Sequence, residues 1–453
     1  MIETERIRNL NMGTAPKHPR YVLYWMQAAQ RTADNHALWY AAMEADRMNL
    51  PLVVAFILTE YPGATAVHYR WMLSGLHETS AALASAGIGC LLSRGEPSVV
   101  LPGLAATAAL LVCDASPTRW ARSTKVQLAA ATTVPIVEVD GESVIPLRAA
   151  SDKQEWAART LRGRIAGAIA HYLAAPTLPL RPPRRNARGL DLEHDTSILQ
   201  AYAEAPAPGY PGDRIIEQSR LPASGSTLAQ QRLELFINVN LDHYDQGRND
   251  PNQDATSGLS AYLHFGQIAP LAVARAASRH GGPGVAAFIE QLVVRRELCR
   301  NFAYFRPEDY DEWTGLPAWA RTTLQNAAAD PRPYHYDYAA FEAARTHDAY
   351  WNAAQNQLVS TGTIHNYMRM YWGKMILAWS SSPQEAFKTA IRLNDHYALD
   401  GRDPNGWAGV AWCFGLHDRP WPGRAVFGTV RSMSRAGLKR KFDADAYAMT
   451  WQG

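Results

Sequence analysis

Between residues 20 and 140 the chain alternates short, continuously apolar runs with longer segments whose apolar positions recur every three or four residues. The runs at 21–26, 52–58, 88–92, 109–114 and 134–139 are too short for amphipathic helices and carry no polar alternation. They read as strands buried on both faces. The segments between them, among them 36–46, 69–85 and 123–131, carry the helical period. Strands that alternate with helices predict a parallel, doubly wound, five-stranded sheet, an α/β architecture. No GxGxxG follows the first run, so a Rossmann dinucleotide site is not expected.

The pattern then changes. Pro176, Pro179, Pro182, Pro183, Pro206, Pro208 and Pro211 punctuate a polar stretch with Arg181, Arg184, Arg185 and Arg188. This reads as a long connection with some helix near 197–204, its arginines either solvated or touching phosphates. From residue 227 the helical period dominates, at 228–245, 271–278, 285–305, 339–346, 353–360, 363–380 and 383–393. The expected organisation is an α/β domain over 1–175, a linker over 176–226 and an all-α domain over 227–453.

Bulk properties narrow the function classes. The net charge is only +3, so any nucleic-acid contact must come from a local patch. Cys90, Cys113, Cys299 and Cys413 are far apart without a CxxC pair. A disulfide framework or metal cluster is not expected, and no metal site is assigned. The N-terminus lacks an apolar signal core, and the longest apolar stretch, broken by Pro102, is too short to span a bilayer. The chain reads as a soluble, cytoplasmic monomer with no membrane contact and no obligate protein partner. Of 14 tryptophans, six fall between Trp351 and Trp421. Such clustering serves a core, a stacking surface or an electron route.

Four segments carry candidate chemistry. In the first, Asp254-Ala-Thr-Ser-Gly-Leu-Ser260, the hydroxyls of Thr256, Ser257 and Ser260 stand at an expected helix start, as N-caps or as an anion cradle. In the second, Asn366, Arg369 and Met370 share one helix face, and Trp372 and Trp379 are expected to stack along one stripe. A cation such as Arg369 among apolar neighbours demands a carboxylate or an anionic ligand. The third, residues 393–407, has turn chemistry at Asp400-Gly401 and Pro404-Asn405-Gly406 and gathers Asp395, Asp400, Arg402, Asp403 and Asn405, as a polar pocket wall or a surface loop. The fourth, residues 431–441, holds Arg431, Arg435, Lys439, Arg440 and Lys441 with no carboxylate, a phosphate-binding stripe by composition or a solvated helix.

Taken in order, these motifs resemble the class II cyclobutane pyrimidine dimer photolyases of the photolyase/cryptochrome family. The resemblance rests on 256–267 (TSGLSAYLHFGQ), 294–298 (VRREL), 351–355 (WNAAQ), 369–372 (RMYW), 399–406 (LDGRDPNG) and 439–443 (KRKFD). It is reinforced by 24–28 (YWMQA) and 35–38 (NHAL), and it covers nearly the whole chain. It implies a helical domain that holds FAD and light-driven repair of dimers in UV-damaged DNA by electron transfer from excited, reduced flavin. An antenna chromophore, a deazaflavin, is a further implication for the N-terminal domain.

Residue roles follow from the match. Tyr244, Arg248, Thr256, Ser257, Gly258, Leu259, Ser260, Arg295, Asn366, Arg369, Asp400 and Asp403 are expected to bind the flavin, with Arg369 paired to Asp400. Asn394 matches the asparagine facing flavin N5. Met370 and Trp412 match lesion contacts, and Trp372, Trp351 and Trp379 match the tryptophans that reduce oxidised flavin under light. The stripe 431–441 is expected to grip phosphates. Gln291 stands where photolyases usually carry a glutamate against the lesion bases, and Val294 where other classes stack a tryptophan. Asn366 and Met370 stand where (6-4) photolyases carry lesion-side histidines, which argues against (6-4) repair. Trp25, Trp39, Trp71, Trp120 and Trp156 are expected to pack inside the N-terminal domain. The competing reading is a cryptochrome-like photoreceptor that binds flavin without repair.

Overall fold

The computed structural model describes residues 2–190, 198 and 220–452. Apart from residue 198, the helix expected near 197–204 lies outside the described residues, as do Pro206, Pro208 and Pro211. The sheet has six strands: β1 (Ile7–Asn9), β2 (Tyr21–Trp25), β3 (Leu52–Leu58), β4 (Gly89–Arg94), β5 (Ala108–Asp114) and β6 (Ile136–Val139). Their order is β1-β6-β5-β2-β3-β4. Five strands are parallel, and β1 adds to the edge antiparallel to β6. The expected five-stranded sheet is therefore one strand short. β1 is three residues of mixed polarity and has no hydrophobic run to betray it. Its position is set by Arg6, whose buried guanidinium donates to the carbonyls of Asp140, Ser143 and Val144 at 2.8–3.0 Å.

Helices α1 (His36–Met48), α2 (Ala66–Ser85), α3 (Pro97–Ala105) and α4 (Arg119–Ala131) flank the sheet. Every residue of β2, β3, β5 and β6 is buried, as a sheet covered on both faces requires. Strand β2 pairs with β3 on one side and β5 on the other, so the chain reverses its winding direction there. A crevice opens at the carboxyl ends of strands at such a point. Asp114, at the end of β5, pins its mouth by accepting from the backbone N–H groups of Gln27, Ala28 and Ala29 at 2.8–3.0 Å.

Helix α5 (Ala158–Leu173) leaves the sheet and packs Leu161 and Ile165 into a core shared with Phe236, Leu271 and Val293. The helical half contains α6 (Ser226–Leu235), α7 (Pro270–His280), α8 (Arg296–Phe305), α9 (Ala349–Thr361), α10 (Asn366–Trp379), α11 (Pro383–Tyr397) and α12 (Pro404–Cys413). Three expectations change here. The continuous helix over 285–305 is interrupted by a π-helical turn, Glu290–Arg295, a feature that periodicity does not resolve and that recurs at functional sites. A second π turn, Phe236–Asn240, interrupts 228–245. Pro404-Asn405-Gly406, read as a turn, is the first turn of α12: Asp403 caps it through the Asn405 N–H at 2.8 Å, and proline is tolerated at N1.

The linker arginines have partners on α1. Arg181 pairs with Asp46 at 2.6 Å and lies over Trp39, while the Arg184 N–H donates to the same carboxylate at 2.7 Å. Trp25 and Trp71 are buried as expected. Trp156 is not: it is 64% exposed on the segment leading into α5. Among the described residues, no helix is long and apolar enough to cross a membrane.

Candidate functional site

Helix α10 is the spine of the site. His365 caps it, accepting from the Tyr367 N–H at 3.3 Å. One turn in, the Arg369 Nη2 meets Asp400 at 2.9 Å, with side chains only 11% and 16% exposed. The expected pair therefore forms, and the cation among apolar residues is balanced. Asn366 begins the same helix and is exposed. The Asp400 loop is fastened by Asp395, which accepts from the Arg402 N–H and the Trp407 Nε1–H, both at 2.9 Å. Burial pushes the Asp395 carboxyl up, and these hydrogen bonds oppose that rise.

Asn394, on α11, is buried beside this hub. Its Nδ2 donates to Asp395 at 3.0 Å, which orients the amide and commits one of its two N–H donors. The carbonyl oxygen is then the end left to accept from a ligand. Asp403, expected at the flavin, is largely spent on structure. It caps α12 and meets the His264 Nδ1 at 3.3 Å. Burial alone raises its pKa, but His264 and Arg296 hold the carboxyl well below its ordinary range.

The 254–260 loop is not a helix cap. The helix that follows, Ser260–His264, has Leu259 at its N-cap with no side-chain hydrogen bond, and the Ser257 Oγ accepts instead from the Leu259 N–H at 3.4 Å. Arg232 of α6 holds the loop through the Ser257 carbonyl at 2.9 Å and Asp254 at 2.6 Å. Gly258 has φ +64°, and a Cβ there would stand 2.7 Å from the Arg232 Nε. The left-handed φ favours glycine here, and any larger residue would also push on the Arg232 guanidinium. Thr256 and Ser257 are half-buried and Ser260 is exposed, and the Ser257 hydroxyl keeps its donor while accepting from Leu259. Arg232 was not foreseen, because a single arginine 22 residues upstream of Asp254 gives no signal in sequence.

Among the described residues, the buried side-chain atoms without a geometric hydrogen-bond partner include Arg248 Nε, His365 Nε2 and Arg369 Nε, which lie close to the loop and helix described above. Arg248 and His365 are neighbours, and burial pushes the His365 imidazole down to about 4. Tyr244, on the turn before Arg248, is buried against Phe236 and Phe288. Buried donors without partners are few in native structures, and water, an ion or a ligand can satisfy them. A large cofactor with phosphate and amide acceptors fits this donor set.

The tryptophans are arranged differently from the expected stripe. Trp372 and Trp379 do not stack on each other. Trp351, from α9, stands between them: its ring lies 6.5 Å from Trp372 at 4°, and 6.3 Å from Trp379 at 67°. All three are buried. The Trp351 Nε1–H donates to the Trp372 carbonyl at 3.0 Å, and the Trp372 Nε1–H to Gln355 at 2.9 Å, which fixes both rings.

On the outer side, Met370 lies 4.0 Å from the Cys413 sulfur. Trp412, half-buried, carries the Arg295 guanidinium 5.0 Å above its ring. Arg295 also reaches Glu290 at 3.1 Å, and Glu290 takes Arg162 of α5 at 2.7 Å. Arg295, expected at the flavin, is the last residue of the π turn. Gln291 sits half-buried on the same turn, and Val294 is buried. In the basic stripe, Arg431 covers Trp421 at 4.7 Å and Arg435 covers Tyr350 at 4.5 Å. Lys439 pairs with Asp445 at 3.0 Å, so its charge is offset; Arg440 and Lys441 are exposed.

A cavity of about 190 Å³ occupies the crevice at the end of the sheet. Trp25, Tyr61 and Trp120 line it from the α/β half, and His264, Arg296 and Arg402 from the helical half.

Comparison with known proteins agrees with this arrangement. Residues 22–183 match the family model described as DNA photolyase. The chain is similar to a deoxyribodipyrimidine photo-lyase of Methanothermobacter thermautotrophicus, 42% identical across 99% of this chain and 98% of that protein. A deoxyribodipyrimidine photo-lyase of Potorous tridactylus is 40% identical across 93% of this chain and 79% of its own length. The fold matches the crystal structure of a bacterial class III photolyase from Agrobacterium tumefaciens with TM-score 0.74 and 20% identity, covering 96% of this chain and 87% of that one. An α/β half joined to a helical half, and 42% identity to a photo-lyase over nearly the full length of both chains, place the chain in the photolyase/cryptochrome family.

Proposed function

We propose that the protein is a class II photolyase that splits cyclobutane pyrimidine dimers in DNA under light, using FAD. Bound and reduced, the flavin supplies the electron that opens the cyclobutane ring and takes it back. The chain's own residues do the remaining work. Arg369, braced by Asp400, and the donors of Arg248 and His365 hold the cofactor's polar groups. The 254–260 loop, clamped by Arg232, offers hydroxyls to its phosphates. The Asn394 carbonyl accepts from the proton on flavin N5.

Helix α10 carries this reading. It bears Arg369 toward the cofactor, Met370 toward the lesion side and Trp372 toward the tryptophan relay, within four residues. Met370, Trp412 and Gln291 line the lesion side. Enzymes that act on bases within a duplex take them out of the stack, at a cost that damage already lowers. The cations of 431–441 hold phosphates without reading sequence.

The test is illumination of reduced protein with a dimer-containing oligonucleotide. Light-dependent loss of dimers is expected; none at all would sink the reading. A second reading, a DNA-binding flavoprotein that has lost catalysis, is favoured by one observation, the neutral Gln291, and the same experiment separates the two. We assign the crevice cavity to a planar antenna chromophore of the deazaflavin class, held between Trp25, Tyr61 and Trp120. Protein isolated with a second absorbance band, lost on T118W or another substitution that fills the cavity, is the expected outcome. Domain limits near 175 and 227, and a monomeric state, are part of the same proposal.

A further inference from the structure

Trp156 is the one tryptophan of the chain whose ring faces solvent. Tryptophan is highly buried on average, and an indole presented to solvent beside cations offers a stacking face. The segment that presents it is firmly built. Glu155, next to it, is buried, accepts from Ser151 at 2.7 Å, and its N–H donates to Asn301 of α8 at 2.8 Å. The Trp156 carbonyl accepts from the His417 Nδ1–H at 3.1 Å. Burial holds that imidazole neutral, down to about 4. The backbone is thus fastened to the helical half at two points while the side chain is left free.

Its surroundings are those of the lesion side. His417 begins the loop that carries Arg419 and Trp421, and Arg431 covers the Trp421 ring at 4.7 Å. Two residues after Trp156, α5 starts, and its Arg162 shares Glu290 with Arg295, which lies on Trp412. Residues 147–164 carry five cations, Arg148, Lys153, Arg159, Arg162 and Arg164, against Asp152 and Glu155. Arg164 occupies both of those carboxylates, at 3.0 Å and 2.6 Å, and Arg159 is exposed. A stacking face within a cationic surface is the pattern that binds nucleic-acid strand without sequence preference.

We infer that Trp156 and the first turn of α5 form a DNA-binding surface contributed by the N-terminal half, which takes the strand flanking the flipped dimer. The indole packs on an unstacked base or its sugar, and Arg159 meets a phosphate. Binding is then a clamp: the 431–441 stripe holds one stretch of backbone and the α5 entry another. This inference rests on the repair reading above.

The test compares wild-type, W156A, W156F and R159A holoenzymes at fixed salt, by Kd for a dimer-containing duplex and for the isolated dinucleotide dimer. W156A should weaken duplex binding roughly fivefold or more, as loss of one base–aromatic contact does. The dinucleotide dimer, which has no flanking strand, should bind W156A as it binds wild type. W156F keeps a stacking face and should recover most of the duplex affinity. R159A should lower the slope of log K against log salt by about one. Equal duplex affinity in W156A and wild type overturns the inference while leaving the repair reading intact. So does parallel loss for duplex and dinucleotide, which would mean a disturbed pocket. Wild type that does not prefer damaged duplex overturns both.

Discussion

The indole rings of Trp351 and Trp372 lie within 4° of parallel with centroids 6.5 Å apart, although they belong to different helices. The Trp351 N–H donates to the carbonyl of Trp372 itself, so backbone geometry sets their spacing. Trp379 closes edge-on to Trp351 at 6.3 Å. The order of contact is Trp372, Trp351, Trp379, and the middle member is the one that α10 does not carry. W351F should therefore block photoreduction of oxidised flavin as fully as W372F, slowing it at least tenfold, while pre-reduced protein keeps its repair activity. Flash absorbance of the flavin checks the first part and dimer repair the second. Equal loss of both would make the relay a packing device.

Arg369 and Asp400 form a half-sheltered pair at 2.9 Å. Removing one partner leaves the other poorly solvated, which costs more than the pair itself contributes. D400N should weaken flavin retention by at least tenfold. Titration of stripped protein with FAD measures it. Affinity unchanged in D400N would remove the pair from the cofactor site.

Gly373 lets α10 and α12 meet closely. A Cβ there would stand 2.7 Å from the Cys413 sulfur and 3.1 Å from its Cβ. G373A should destabilise the protein by about 1–3 kcal/mol through overpacking. Pairing it with C413A should restore part of the loss, and chemical denaturation of both variants gives the comparison.

His417 is pushed from 6.5 down to about 4, chiefly by burial. Between these values the unfolded chain binds a proton that the folded chain refuses. Its contribution is therefore complete above pH 6.5 and is lost as pH falls toward 4. The limit is on the order of 3 kcal/mol. H417N, which keeps a donor for the Trp156 carbonyl, should be nearly free of this slope. The difference in unfolding free energy between H417N and wild type should change across that window; a constant difference would show that His417 does not titrate there. Glu297, raised to about 7 by burial, has the opposite slope in both proteins and cancels from the difference.

Much was legible because it is local. Each of the five parallel strands falls on or beside an apolar run, although β4 ends in Ser93-Arg94 and β6 includes Glu138, and β3 begins and ends where the run 52–58 does. The candidate carboxylates and the Arg369 cation stand out for a similar reason: charge within apolar sequence needs a partner, and Asp400 is that partner. Helix α12 was misread because Asp403-Pro404-Asn405-Gly406 satisfies both turn and N-terminal helix rules, and only the apolar packing of Trp407, Val410 and Ala411 decides between them.

Sequence alone determined the α/β-then-α order of the chain, the buried strands, and the residue types of the site, because hydrophobic period and charge isolation act over a few neighbours. Tertiary structure decided which groups meet. It put Trp351 between two tryptophans of another helix and laid Arg295, at the end of a π turn, over Trp412. It also clamped a loop with Arg232 and left Trp156 in solvent. Those outcomes depend on helix crossing, backbone register and competition for space among distant segments, and none of these is written into any single stretch of sequence.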